Sequence, residues 1–177
     1  MEKKDSEKTE KGYFENYPLT TVLISSLVTL TTFAAGAIIM FRAGWIWGVL
    51  YLIYVLYLEL MLLRKNCRDC YYYGKTCAFG QGRLACLIVK RGNPSNFGKR
   101  QMTWKSMIPD ILVTVIPVIT GIVLMIINFN WVLLVLVILM VGLGSAGNGY
   151  VRGNLACKYC KQRELGCPAE QLFSKRV

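Results

Sequence analysis

Cys67-Arg-Asp-Cys70-Tyr-Tyr-Tyr-Gly-Lys-Thr-Cys77 and Cys157-Lys-Tyr-Cys160-Lys-Gln-Arg-Glu-Leu-Gly-Cys167 obey one spacing, C-x2-C-x6-C, and together use six of the seven cysteines in the chain. Each copy follows a pair of long apolar segments, so motif and membrane context recur together and the sequence reads as a duplication. Working outward from the two motifs, the expected fold is an all-α integral membrane protein. It has four transmembrane helices arranged as two parallel hairpin repeats, each followed by a cysteine module.

The composition agrees. Of 177 residues, 54% are hydrophobic, and the mean hydropathy of +0.41 is too high for an ordinary soluble domain. There is no histidine, so a metal site built by this chain rests on thiolates, helped at most by carboxylates. The same absence removes Ser-His-Asp and Cys-His hydrolases and zinc sites of the His-Glu-x-x-His type. The net charge of +11 would point to nucleic acid in a soluble protein, but here it has a topological explanation.

The chain divides as follows. Residues 1–18 are charged and poor in aliphatic side chains, as in a disordered tail. Repeat 1 covers 19–91, an interfacial linker 92–108, and repeat 2 109–177. The first span runs from about Thr20 to Phe41, and no small-residue cleavage site followed by a polar chain marks it as a removable signal. Arg42-Ala43-Gly44 joins it to an antiparallel second span, Trp45 to Leu63, with Trp45 and Trp47 suited to the interface. Glu59 lies within this span about one turn from Arg64 and Lys65; pairing with a basic neighbour is the first reading, and an ion or proton site the second. The third span, Pro109 to Asn128, is expected to carry Pro109 in its first turn, Asp110 at its positive end and a kink at Pro117. The fourth, Trp131 to Gly149, ends in small residues that permit close packing or a loosened helix.

Between the second and third spans, Ala78 to Arg91 runs from flexible glycines into an apolar stretch closed by two cations and suits a short interfacial helix, with Cys86 as a small core residue. Tyr71 to Tyr73 read as interfacial aromatics, and Phe97 to Met107 as a run along the head groups. Gly80-Gln-Gly82 is too short for a phosphate loop. Of the 21 lysines and arginines, 20 fall in the amino tail, central loop and carboxyl tail, and Arg42 alone in an outer turn. The positive-inside rule thus puts both termini and both cysteine modules in the cytoplasm, against anionic head groups. Thiols are kept reduced there, so paired cysteines speak for metal or catalysis before structural disulfides.

In C-x2-C two sulfurs converge on one tetrahedral ion, and one copy offers three of the four ligands that a closed zinc site needs. The candidate ligands are therefore Cys67, Cys70, Cys77, Cys157, Cys160 and Cys167, acting jointly. Each half resembles the binuclear six-cysteine zinc cluster of fungal transcription factors. The second is the nearer match, with Lys161 and Arg163 in its intervening segment and Pro168 after its last cysteine. The resemblance covers only these two eleven-residue segments, which here stand far apart in the chain. It implies that six thiolates so spaced can share two metals, and it carries no nucleic-acid binding.

A parallel repeat would bring both modules to the cytoplasmic mouth of one four-helix bundle, where the cluster clamps the hairpins together. Nearby cations, Arg64, Lys65, Arg68, Lys75, Lys158, Lys161 and Arg163, would favour thiolate over thiol. The leading expectation is structural zinc in a non-enzymatic scaffold, docking or assembly subunit, with a protein partner or a homo-oligomer. One alternative is a membrane redox protein with an iron–sulfur cluster, Cys167-Pro168 resembling the end of a ferredoxin motif whose C-x2-C-x2-C run is absent. Thiol–disulfide exchange and a small oligomeric transporter remain as further alternatives.

Overall fold

The computed structural model describes residues 12–99 and 103–168. Among these it is helical, with no strand. The long elements are α1 (Leu19–Ala43), α2 (Trp45–Lys65), α5 (Trp104–Ile127) and α6 (Trp131–Gly142); α3 (Gln81–Ile88), α4 (Ser95–Lys99) and α8 (Lys161–Glu164) are short. Beyond α6 the helical path continues through π-helical Leu143–Gly147, a turn of α-helix (α7, Asn148–Tyr150) and π-helical Val151–Ala156. Among the described residues four helical segments are long and apolar enough to cross a membrane: Leu19–Ala43, Trp45–Asp69, Lys105–Ile127 and Trp131–Tyr159.

The chain forms two compact units. One gathers the chain up to Ser26, Leu60–Trp104 and the chain from Val151 on; the other gathers Leu27–Glu59 and Lys105–Tyr150. Each therefore draws on both expected repeats.

The second unit is the hydrophobic one. Ala35 and Ile39 of α1 pack against Leu133, Val137 and Met140 of α6, with Val118, Leu124 and Met125 of α5 alongside. Met40, Tyr51 and Val113 form a second core. Glycine lets backbones close up here: a side chain at Gly121 would run into Val137, and one at Gly36 into Tyr51. Large apolar side chains such as Leu27, Leu30 and Ile126 point outward, as on helices that face lipid. Pro117 sits inside α5, buried, and has no N–H to offer the carbonyl of Val113 four residues back. The Tyr51 hydroxyl donates to that oxygen at 3.1 Å, and Tyr54 donates to Pro109 O at 2.9 Å. A proline is tolerated where a neighbouring helix satisfies the carbonyl it orphans. Glu59 is half-buried on α2 in this unit.

Two expected boundaries shift. α5 begins at Trp104, so Pro109 lies inside the helix rather than in its first turn, and Asp110 is too far along to cap it; the first turn holds no acid. Small residues from Gly142 onward loosen the fourth helix into π geometry, where the Ser145 hydroxyl bonds back to Val141 O. Asn130 caps α6, its side chain accepting from Val132 N at 2.8 Å.

Candidate metal centre

The two cysteine motifs share one local conformation. In each, the first cysteine opens a single 3-10 turn, Cys67–Asp69 and Cys157–Tyr159, and the second leaves it in extended geometry, at φ −77° for Cys70 and −88° for Cys160. The turns close alike: Cys70 N–H donates to Cys67 O and Cys160 N–H to Cys157 O, each at 3.3 Å. Next, Tyr73 N–H meets Cys70 O and Arg163 N–H meets Cys160 O, each at 3.1 Å. C-x2-C spacing is short enough for such a turn and brings both sulfurs to one side of it.

The motifs also bind each other reciprocally. Tyr71 N–H donates to Gln162 Oε1 at 2.9 Å, and Lys161 N–H donates to Tyr72 Oη at 3.1 Å. Tyr71 and Lys161 are the residues directly after the second cysteine of each copy, and Tyr72 and Gln162 are the next. Each copy thus satisfies the same backbone donor of the other with the same side-chain position. Both acceptor residues are buried, Tyr72 at 2% exposure and Gln162 at 3%.

A strap from Tyr13 to Tyr17 crosses both motifs. Phe14 N–H donates to Tyr159 O at 3.2 Å, while Phe14 O accepts from Tyr72 Oη at 2.7 Å. Tyr17 N–H donates to Thr76 O at 2.9 Å and its hydroxyl to Ala156 O at 2.5 Å. Thr76 N–H is taken by Asn16 Oδ1 at 3.0 Å. Glu15 accepts from the Tyr71 hydroxyl at 2.8 Å and from Lys75 at 3.0 Å, and these two partners, the tyrosine foremost, hold its carboxyl below the usual range. Tyr17, Tyr72, Ala78 and Ala156 make the apolar core beneath, with Cys70, Cys77 and Cys160 against it. Residues 1–11 of the expected tail lie outside the described residues.

Cys70 and Cys160 stand closest to the junction. Burial pushes the Cys70 thiol up to about 11, against the pull of the Tyr72 and Tyr71 N–H groups, and Cys77 and Cys167 add to the rise. Burial likewise pushes Cys160 up to about 12, opposed by the N–H groups of Gln162 and Arg163, with Cys70 and Cys157 as thiol neighbours. The electrostatic reach from Cys70 to Cys160 and Cys167 thus spans both copies. Burial foremost also holds the Tyr17 and Tyr72 hydroxyls far above the ordinary range. Cys77 Sγ accepts from Gly82 N–H at 3.2 Å, and Cys67 Sγ lies 3.9 Å from Gln81 Oε1. Backbone N–H groups directed at sulfur are the support a ligating thiolate needs.

Several expectations are corrected. Burial outweighs the neighbouring cations at the two central thiols, Cys70 and Cys160, while Lys75 is engaged by Glu15, Lys161 by Glu164 at 2.5 Å, and Arg68 lies 3.7 Å from Asp69. Tyr71 to Tyr73 build the module rather than a membrane belt: Tyr72 is core, Tyr71 packs edge-on against it, and Tyr73 donates to Val89 O at 2.6 Å. Cys86 is exposed on α3, not in a core. The expected head-group run from Phe97 to Met107 falls partly outside the described residues. The strap escaped the sequence reading; its trace was the aromatic spacing Tyr13, Phe14, Tyr17 in an otherwise charged segment.

Among the described residues no group of three or more cysteine or acidic side chains is gathered closely enough to enclose an ion. The donor chemistry nevertheless suits a thiophilic metal: soft sulfurs from both copies, backbone donors aimed at them and no competing imidazole. Searches of family models, curated proteins and solved structures found no match to this chain.

High thiol pKa values make poor nucleophiles at neutral pH, which weighs against thiol–disulfide exchange. In metal-free protein at pH 8, the raised Cys70 thiol should be alkylated about tenfold more slowly than the same peptide in denaturant. Peptide-resolved mass spectrometry over an iodoacetamide time course measures it. Rapid labelling in the native state would return the redox reading to the front.

Proposed function

We propose that this is an integral membrane scaffold, docking or assembly protein whose two cysteine motifs form one cytoplasmic thiolate module around structural zinc. The observation that carries the reading is the reciprocal pairing of Tyr71 with Gln162 and Lys161 with Tyr72, which joins the copies at the residues beside Cys70 and Cys160. Cys70 and Cys160 would be the central ligands, with Cys67, Cys77, Cys157 and Cys167 completing the set. Bound zinc would supply a cross-link between the copies and no redox chemistry. The two hairpins are then parallel repeats with both termini inside, consistent with 20 of 21 cations on one side. A protein partner or a second copy is the expected binding partner. The non-enzymatic reading accords with the absence of histidine and with weakly nucleophilic central thiols.

The test is metal and acid-labile sulfide content per chain, with an absorption spectrum, on anaerobically purified protein. About two zinc ions with a colourless spectrum support a shared six-thiolate cluster, and about one supports a four-cysteine site. Iron with sulfide would replace this reading with electron transfer. Absence of metal would refute it.

A further inference from the structure

Helix α3 is fixed on one side and bare on the other. Its buried face is Gly82 and Ala85. Gly82 lies so close to the carbonyls of Tyr72 and Lys75 that any side chain there would collide with them, and Gly74 N–H donates to Gly82 O at 2.9 Å. An eight-residue helix has little stability alone, so this seating explains its presence. The other face carries Leu84 at 47%, Leu87 at 82% and Ile88 at 47% exposure, an i, i+3, i+4 stripe on one side of a single short helix. Exposed Arg83, Lys90 and Arg91 border it.

We propose that this stripe is a membrane-docking surface that inserts into the head-group layer of an anionic bilayer. Leucine and isoleucine would enter the acyl boundary, and the three cations would meet lipid phosphates. Two observations favour lipid over a protein partner. Among the described residues from Gln81 to Arg91 the exposed charges are all cationic, matching an anionic surface rather than a mixed protein one. In addition, α3 follows closely on α2, a helix long and apolar enough to span, so a bilayer would be within reach at high effective concentration. The inference rests on the membrane half of the reading above and not on the metal half.

The full chain would be placed in nanodiscs of phosphatidylcholine alone or with phosphatidylglycerol, and hydrogen exchange followed on peptides covering 83–91. Exchange about tenfold slower in the anionic discs is expected. The difference should vanish in a Leu84→Glu, Leu87→Glu double variant that keeps wild-type metal content and wild-type protection in α1 and α5. Equal exchange in both discs, with α1 and α5 protected, would overturn the docking surface alone. Loss of protection in α1 and α5 as well would overturn the membrane reading and this inference together. Protection that follows protein concentration rather than lipid charge would assign the stripe to a second copy.

Discussion

Cys70→Ser should strip metal from both motifs, leaving well under half of the wild-type content, and Cys160→Ser should do the same. A serine hydroxyl is a poor ligand for a soft metal, and these two thiols lie where the copies meet, so neither loss can stay local. Loss of a structural metal plus an altered buried site would cost on the order of 3 kcal/mol, seen as a drop of several degrees in the detergent-solubilised thermal transition. Cys86→Ser, at an exposed position on α3, should change neither quantity. Metal analysis of the three variants decides. If Cys70→Ser empties only half and Cys160→Ser only the other half, the copies bind independently and the shared module is wrong.

Gly82→Ala should be nearly as damaging without touching a ligand. Its added methyl would strike the Tyr72 and Lys75 carbonyls, which are backbone and cannot rotate away. Either α3 leaves its seat, taking the Gly82 N–H from Cys77 Sγ, or the first motif distorts. Overpacking of this kind costs about 3 kcal/mol, whereas Gly149→Ala, where nothing lies within 4 Å, should be neutral or slightly stabilising. Thermal melts in one detergent compare the two, and equal transitions would show that α3 is not wedged against the motif.

What could be read from the sequence was what repeats locally. Four apolar runs are visible because a helix in lipid must be apolar along its whole length, and the tight turns at Gly44 and Asn130 follow from glycine freedom and side-chain capping. Helix starts were less legible: Trp104 begins α5 five residues ahead of Pro109, since proline disturbs a helix interior without forbidding it, as at Pro117, where Tyr51 takes up the orphaned Val113 carbonyl. The spacing of the six cysteines pointed to a joint role, and what the structure adds is the pairing of the two motifs through Tyr71 with Gln162 and Lys161 with Tyr72. Their electrostatics did not follow from nearby cations, because desolvation depends on what covers a thiol, and that cover comes from Tyr17 and Tyr72. Tyr72 and Gln162 occupy equivalent places in the two motifs, yet no local rule links a tyrosine to a glutamine 90 positions later.

The strap has a consequence for biogenesis. Tyr17 bonds to Ala156 across 139 positions, and Tyr71 to Gln162 across 91. Contacts so distant along the chain cannot form until the ribosome has delivered the second motif, after all four apolar segments have been made. Until then the strap and the first motif can bind only each other, through Tyr72 to Phe14 and Tyr17 to Thr76. Closure of the module therefore waits on the second motif, and a product truncated before Cys157 would leave the strap and first motif without that partner.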